Sequence, residues 1–233
     1  MTLNLFPDHK SVVGQTIGRR EMTDIVGSRH GAMLFEDCVF DGADFSGLSL
    51  SEFSFDRCSL VGTSLKDAML SQTRWKGCRA GKANFSFADL SEAVIHSGDF
   101  NNSIWRGATL SSVGFAHAKL TGASFAECRS LGLEFVDSLL ISTDLRGISF
   151  RRMTLQRLDF SDAELAGVDF RECIFEECSL RSASLKGARF QGADLRGADL
   201  GGLRLFDAAL FRGATISKAQ ATMLLQEIGL TVA

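Results

Sequence analysis

Cysteine and histidine carry the most specific chemistry a sequence can hold, and this chain has six of the first and four of the second. A metal centre needs such residues grouped, for instance as CxxC pairs or as His beside Cys. Cys38, Cys58, Cys78, Cys128, Cys173 and Cys178 form no CxxC, and no histidine falls among Cys38, Cys58 and Cys78. His9, His30, His96 and His117 are scattered, and only His96 and His117 are placed to share a side of the fold. His30 reads as a capping or surface residue. There is no GxSxG and no phosphate-cradling glycine loop. We therefore expect no catalytic residue, no metal ligand and no cofactor, and read the chain as a non-enzyme. With a formal net charge of −3 and no basic cluster interleaved with aromatics, direct nucleic-acid binding is not expected either.

The spacing of the cysteines belongs to a longer pattern. Each lies two residues before a position divisible by five. Between 35 and 210 there are 36 such positions, and 34 hold a large apolar residue (14 Phe, 17 Leu, two Trp and one Ile), so the period is set by the whole chain. Only Ala80 and Ser130 depart. We call these positions centres. The residue two before each centre is usually Ala, Cys, Ser, Thr or Val, and the other three are mostly polar or Gly. Residues 183–200, ASLKGARFQGADLRGADL, show the block in its plainest form.

A period of five suits neither regular element. Strand side chains alternate, so a five-residue step would send successive centres to opposite faces. On a helix the same step smears the apolar stripe around the cylinder. The pattern holds only if the chain turns a corner once per block, each short side pointing two residues inward. Such sides, coiled and stacked, make a solenoid. The spacing alone leaves the number of sides open. Nineteen Phe and no Tyr suit a narrow dry interior with no partner for a phenolic hydroxyl. The cysteines, all at the small inward position, are expected as compact buried hydrophobes.

With these blocks the chain resembles the pentapeptide-repeat proteins. The resemblance implies an all-β fold: a right-handed quadrilateral β-helix, here with a short C-terminal α-helix. Four sides imply 20 residues per coil, about nine coils, and a rod of ~43 Å at ~4.8 Å per coil. We expect residues 1–22 as an N-terminal capping segment, 23–215 as the β-helix with Thr23–Gly27 (TDIVG) its first block, and 216–233 as a helical tail. From Met33 onward no insertion is visible.

Two stretches depart from the rule of polar outward positions. Leu131, Val136, Leu139 and Ile141 fall outward, with Leu133, Ile148, Met153 and Leu158 bulky at inward positions nearby. Two accounts stand: a local widening of the coil, or an apolar patch that binds a partner. In the tail, Ser217 and Gln220 are spaced as a capping box and Gly229 as a stop. Met223, Leu224, Leu225 and Ile228 between them, with Phe206 and Phe211 read as outward, suggest a homodimer interface at the last coil.

Two segments resemble one branch of the family, the Qnr proteins. Residues 219–230, AQATMLLQEIGL, are similar to the Qnr C-terminal helix that carries the dimer contact. Phe125–Phe135, FAECRSLGLEF, is similar to the Qnr segment where a small residue, here Ser130, replaces a centre before LG[IL]E. The Qnr proteins of Gram-negative bacteria also carry two projecting loops. This sequence keeps frame throughout, like the mycobacterial type. The resemblance implies protection of DNA gyrase and topoisomerase IV from poisons, quinolones or peptide toxins, by mimicry of DNA with carboxylates in place of phosphates. A generic interaction rod with an unrelated partner is the alternative. On four sides, the side with centres 35, 55 and 75 gathers Glu36, Asp37, Asp56, Glu134, Asp137, Glu176, Glu177 and Asp194, the candidate topoisomerase contact. No signal peptide or membrane span is read from the sequence, and unpaired thiols suit a cytoplasmic location.

Overall fold

The computed structural model describes residues 10–28, 31–202, 209–227 and 229–232. The fold is a parallel β-solenoid of about nine turns with two short helices. It divides into two compact units, Met1–Glu134 and Phe135–Ala233.

In the first unit, strands β1 (Lys10–Val13), β2 (Met33–Glu36), β3 (Ser54–Asp56), β4 (Arg74–Arg79), β5 (Val94–Asp99) and β6 (Gly114–Lys119) lie parallel in chain order. Phe35 stands opposite Phe55, Phe55 opposite Trp75, Trp75 opposite Ile95 and Ile95 opposite Phe115, so one coil takes 20 residues. Three further ladders run through Val39, Ser59 and Arg79, through Asp44, Ser64, Asn84, Ile104 and Ser124, and through Ser49, Met69, Asp89, Thr109 and Arg129. With the strands they make four sides, which decides what the spacing left open. β7 (Glu134–Val136) begins at the last residue of the first unit, and the second unit repeats the pattern with β8 (Thr154–Gln156) and β9 (Ile174–Glu176) on one side, and β10 (Cys178–Ser179) beside β11 (Ala198–Asp199) on the next.

The block centred on Phe85 shows why five residues suffice for one side. Ala83 N donates within the turn to Ala80 O (3.1 Å), Asn84 N to Thr63 O one coil back (2.9 Å), and Phe85 N and Phe87 N to Ile104 O and Arg106 O one coil on (2.7 and 2.9 Å). The fifth donor, Ser86 N, points outward and is taken by Asn84 Oδ1 at 2.9 Å. Asp44, Asp89, Asp99, Asp144, Asp159, Asp169, Asp194 and Asp199 serve the same way, which explains why the residue before a centre is so often Asp or Asn. Every backbone N–H of the block is thereby satisfied.

The corner lies two residues after the centre, in the left-handed region. Gly is common there, yet among the described residues 21 non-glycine residues also take it, Phe87 at φ 59° being one. Each costs about 1–2 kcal/mol against the right-handed form. The hydrogen bond that the corner N–H makes to the next coil helps to offset this.

Centres stack within each unit: Phe85 on Trp105 at 4.0 Å, and Phe150 on Phe170 at 5.5 Å. Trp75 and Trp105 donate their ring N–H to Thr73 Oγ1 and Ser103 Oγ (2.9 and 2.7 Å), so the inward hydroxyls complete an otherwise dry core. Ala80 is fully buried despite its size, and the centre before it is the buried Trp75. Ser130 is different: it and Cys128 are both part-exposed, so the core opens where the centre is lost.

Three sequence expectations change at the ends. Thr23–Gly27 is not a repeat block but part of helix α1 (Arg19–Ser28), anchored by the fully buried Met22. Lys10–Val13, expected in a capping segment, is a strand of the coil, its Lys10 opposite Met33; the offset of 23 residues accommodates α1. After Leu200 the frame shifts by one: Asp194 bridges to Thr215, and Phe211, not Leu210, packs on Phe190 with ring centroids 4.8 Å apart. Phe211 therefore faces inward, because it closes the core as the last stacked ring. The capping box forms as expected at the start of α2 (Lys218–Glu227), with Ser217 N donating to Gln220 Oε1 and Gln220 N to Ser217 Oγ. Gly229 follows at φ 83°. Among the described residues no helix is long and apolar enough to cross a membrane.

Candidate protein-interaction surface

The acidic residues singled out by sequence divide between the units. In the first, Glu36, Asp37 and Asp56 gather around one arginine. Arg57 donates to both carboxylate oxygens of Asp37 (3.0 Å each) and to Asp56 Oδ2 (2.9 Å), and lies 3.6 Å from Glu36. The Arg57 hydrogen bond holds the Asp37 carboxyl below its usual range. Asp56, expected at the surface, is 5% exposed and cannot meet a partner directly. Glu134 is exposed and makes no ion pair with a described residue.

In the second unit Asp137 is paired with Arg157, and Asp194 with Arg196, whose hydrogen bond lowers the Asp194 pKa. Glu176 accepts from Gln156 Nε2 at 2.8 Å, while Glu177 is exposed and has no ion-pair partner among the described residues. The sequence expectation sets these side chains on one side of the coil, and the structure pairs Asp37, Asp56, Asp137 and Asp194 with arginines. The signal was present, since Arg57 and Arg157 follow Asp37 and Asp137 by one 20-residue coil.

The Ser130–Glu134 segment keeps its backbone in the coil although it lacks a centre. Leu131 O accepts from Ser112 N (2.8 Å), Leu133 N donates to Ser130 O (3.2 Å), and Glu134 N to Val113 O (2.9 Å). Leu131 itself projects, 84% exposed, the most exposed large apolar side chain among the described residues. In the second unit Leu139 is 39% exposed, whereas Val136 and Ile141 are half-buried. Of the bulky inward residues, Leu133, Ile148 and Leu158 are buried as expected, and Met153 is half-buried.

Helix α2 leaves Met223 and Leu224 half-buried and Leu225 exposed. A cavity of about 210 Å³ lies between it and the last coil, lined by Leu200, Phe211, Ala214, Ile216 and Leu224. Phe206 and Ile228, the other residues assigned to a dimer contact, lie outside the described residues, as does His30.

His96 and His117 do meet, ring centroids 5.2 Å apart. Among the described residues no three His, Cys, Asp or Glu side chains stand together as a metal site. Five cysteines are buried and Cys128 is part-exposed. Desolvation raises the Cys38 and Cys178 thiols and pushes Cys173 up to about 11; Cys58 is raised first by its hydrogen bond with Cys78 and then by burial. The sulfurs pack within the coil, with Cys58 and Cys78 Sγ each donating to a backbone carbonyl at 3.3 Å.

Comparison with known proteins agrees with this architecture. Two family models match: "Pentapeptide repeats (8 copies)" over residues 88–126, 134–171 and 163–202, and "Pentapeptide repeat region" over 32–105. A search of the curated proteins finds no match. Among solved structures, a trypsin-treated variant of QnrB1, a plasmid-mediated fluoroquinolone resistance protein, superposes with a TM-score of 0.61 at 19% identity, covering 97% of this chain and 98% of that one. Full-length QnrB1 gives 0.46 at 20% identity over 95% and 98%. HetL, a pentapeptide repeat protein involved in heterocyst differentiation regulation from the cyanobacterium Nostoc, gives 0.39 at 18% over 81% and 86%. Of these superpositions only the first, at 0.61, bears on the architecture, and at 19% identity it speaks for the fold alone. On its repeat, its four-sided coil and these matches, the chain belongs to the pentapeptide-repeat family.

Proposed function

We propose that the protein is a DNA-mimicking partner of a type II topoisomerase, DNA gyrase or topoisomerase IV, and protects it from a poison, either a quinolone or a peptide toxin. The observation that carries this reading is the Ser130–Glu134 segment. It is held rigidly by coil hydrogen bonds, presents Leu131 to solvent, and sets the unpaired Glu134 three residues further on. An apolar anchor beside a free carboxylate, on a fixed backbone, is built for docking another protein. Glu176 and Glu177 supply further exposed negative charge. The active form is a homodimer joined through the last coil and α2, where Leu225, Leu230 and Val232 are exposed.

One observation favours the second reading, an interaction rod with an unrelated partner. Asp37, Asp56, Asp137 and Asp194 are each tied to an arginine, so the carboxylates offer less bare charge than a DNA mimic wants.

The test is supercoiling by purified gyrase, poisoned by a quinolone or by a peptide toxin, with the protein added. The wild type is expected to rescue, and the double variant L131D/E134K to lose rescue while keeping its β-type circular dichroism. Reversal of Arg151 and Arg152 should matter much less. Deleting residues 216–233 should give monomers and abolish rescue. If the wild type rescues neither poison and binds neither topoisomerase at low salt, the interaction-rod reading replaces this one.

A further inference from the structure

Most of the described arginines are tied to a carboxylate, many of them one coil away. Arg79 and Lys82 are not: among the described residues neither has an acidic partner within ion-pair distance, and both are exposed. They flank a pocket of about 350 Å³ on the side of the first unit that carries the Ser59–Arg79 ladder.

The pocket follows from one missing side chain. Along the outward column just past the centres, Val61, Gly81 and Asn101 occupy successive coils. Gly81 leaves a gap between its two neighbours, with its own backbone as the floor. Arg79 and Lys82 border the gap within the same coil. Asp99, one coil on from Arg79 and in register with it, borders it from above together with Asn101.

The polar atoms around this gap are sorted by type. Arg79 and Lys82 offer only donors. Opposite them, Asn101 Oδ1 is a fully buried acceptor with no hydrogen-bond partner. Asp99 uses one carboxylate oxygen, Oδ1, to accept from Asn101 N at 3.0 Å, which leaves acceptor capacity on a carboxylate whose charge is shared by both oxygens. A buried acceptor left unsatisfied costs about 1–3 kcal/mol, so it marks a place where a donor belongs. Val61, 41% exposed, supplies an apolar wall.

We propose that this pocket binds a small zwitterion of the α-amino-acid class. Its carboxylate sits against Arg79 and Lys82, its ammonium donates to Asp99 and to Asn101 Oδ1, and an aliphatic side chain lies along Val61. A plain anion would meet the Asp99 carboxylate, and a plain cation would meet two unneutralised basic groups. Only a ligand carrying both charges satisfies both sides at once. The proposal is independent of any topoisomerase, because the pocket lies within residues 61–102.

The test uses the full chain and L-valine as the probe, with acetate and isobutylamine as its two halves, followed by isothermal titration and by amide shifts of Gly81 and Asn101. Saturable binding of L-valine is expected, with each half weaker by about tenfold or more, the worth of one charge-assisted hydrogen bond. Gly81→Val should abolish it by filling the floor. That change is compatible with folding, since Gly81 is not in the left-handed region and a Cβ there would meet only Asn101 O at 3.6 Å. Arg79→Gln, at an exposed position, should weaken it without touching the core, whereas Arg152→Gln in the other unit should leave it unchanged. Acetate binding as tightly as L-valine, with Asp99→Asn strengthening it, would show a simple anion site and overturn the proposal. So would the absence of saturable binding to the wild type.

Discussion

Gln220 Nε2 donates to the carbonyl of Leu195 at 2.7 Å, and also to that of Ala198 at 2.7 Å. The same side chain closes the capping box of α2 through its Oε1. One buried amide therefore starts the last helix and ties up carbonyls at the open end of the coil. A solenoid end otherwise leaves such groups unpaired, as the edge of any sheet does.

Replacing Gln220 should accordingly unseat the end of the second unit. Gln220→Ala is expected to destabilise it by about 1–3 kcal/mol, the cost of buried groups left without partners. Gln220→Glu keeps the acceptor of the capping box but loses both donors, and should cost at least as much. Denaturant unfolding, with hydrogen exchange at Ala221 and Thr222, checks this. Unchanged protection in both variants would mean the cap is redundant.

Phe87 and Gly107 test the corner geometry. The Phe87 ring lies against Gly107, where an added Cβ would fall 2.6 Å from its atoms, and Gly107 has φ +66°. Gly107→Ala should therefore destabilise by about 1–3 kcal/mol, from the clash and from the left-handed backbone. Phe87→Gly removes both the ring and a left-handed aromatic, so alone it should stay within about 1 kcal/mol of wild type. In that background the cost of Gly107→Ala should shrink. Strict additivity of the two changes would refute the ring contact.

Thiol reactivity tests the packing of the inward column. Native protein at pH 8 should label with a thiol reagent at Cys128 only, since it alone among the cysteines is part-exposed and the others are buried with raised pKa values where a shift is resolved. All six should label after unfolding. Fast native labelling at Cys58 or Cys173 would contradict a closed core.

Acid should weaken the second unit through its arginine-paired aspartates. Hydrogen bonds from Arg146, Arg171 and Arg196 lower the pKa of Asp144, Asp169 and Asp194 below 3.8. A carboxylate depressed in the folded state contributes stability that is present above its unfolded pKa and is lost as pH falls through its folded pKa. The melting temperature should thus be flat above about pH 5 and fall below pH 4, with Asp169→Asn flattening part of that fall. The effect is modest for the exposed pairs, where water and salt screen the charges. A melting temperature that stays level from pH 7 down to pH 3 would refute this.

How much of this was legible in the chain differs from residue to residue. The coil was, because stacking imposes the same demand on every block: one large apolar centre, one small inward residue, and a corner. Phe85, Trp105 and Phe125 could be placed from their numbers alone. Even Asn84 and Asp99 were written in the pattern, each answering the one backbone donor that stacking leaves outward. The ends were not legible, since there no next coil enforces the period: Ile25 falls in a helix and Phe211 takes the place expected of Leu210. Charge was legible only in sum. The sequence showed carboxylates on one side, but which of them stay free depended on Arg57 and Arg157 reaching across a coil. The pocket at Gly81 was likewise invisible, because it is made by what Val61 and Asn101 leave open between them one coil either side. Sequence alone determined the period, because every coil obeys the same packing; the tertiary structure decided the surface, because neighbours there lie 20 residues apart and pair by geometry, not by order.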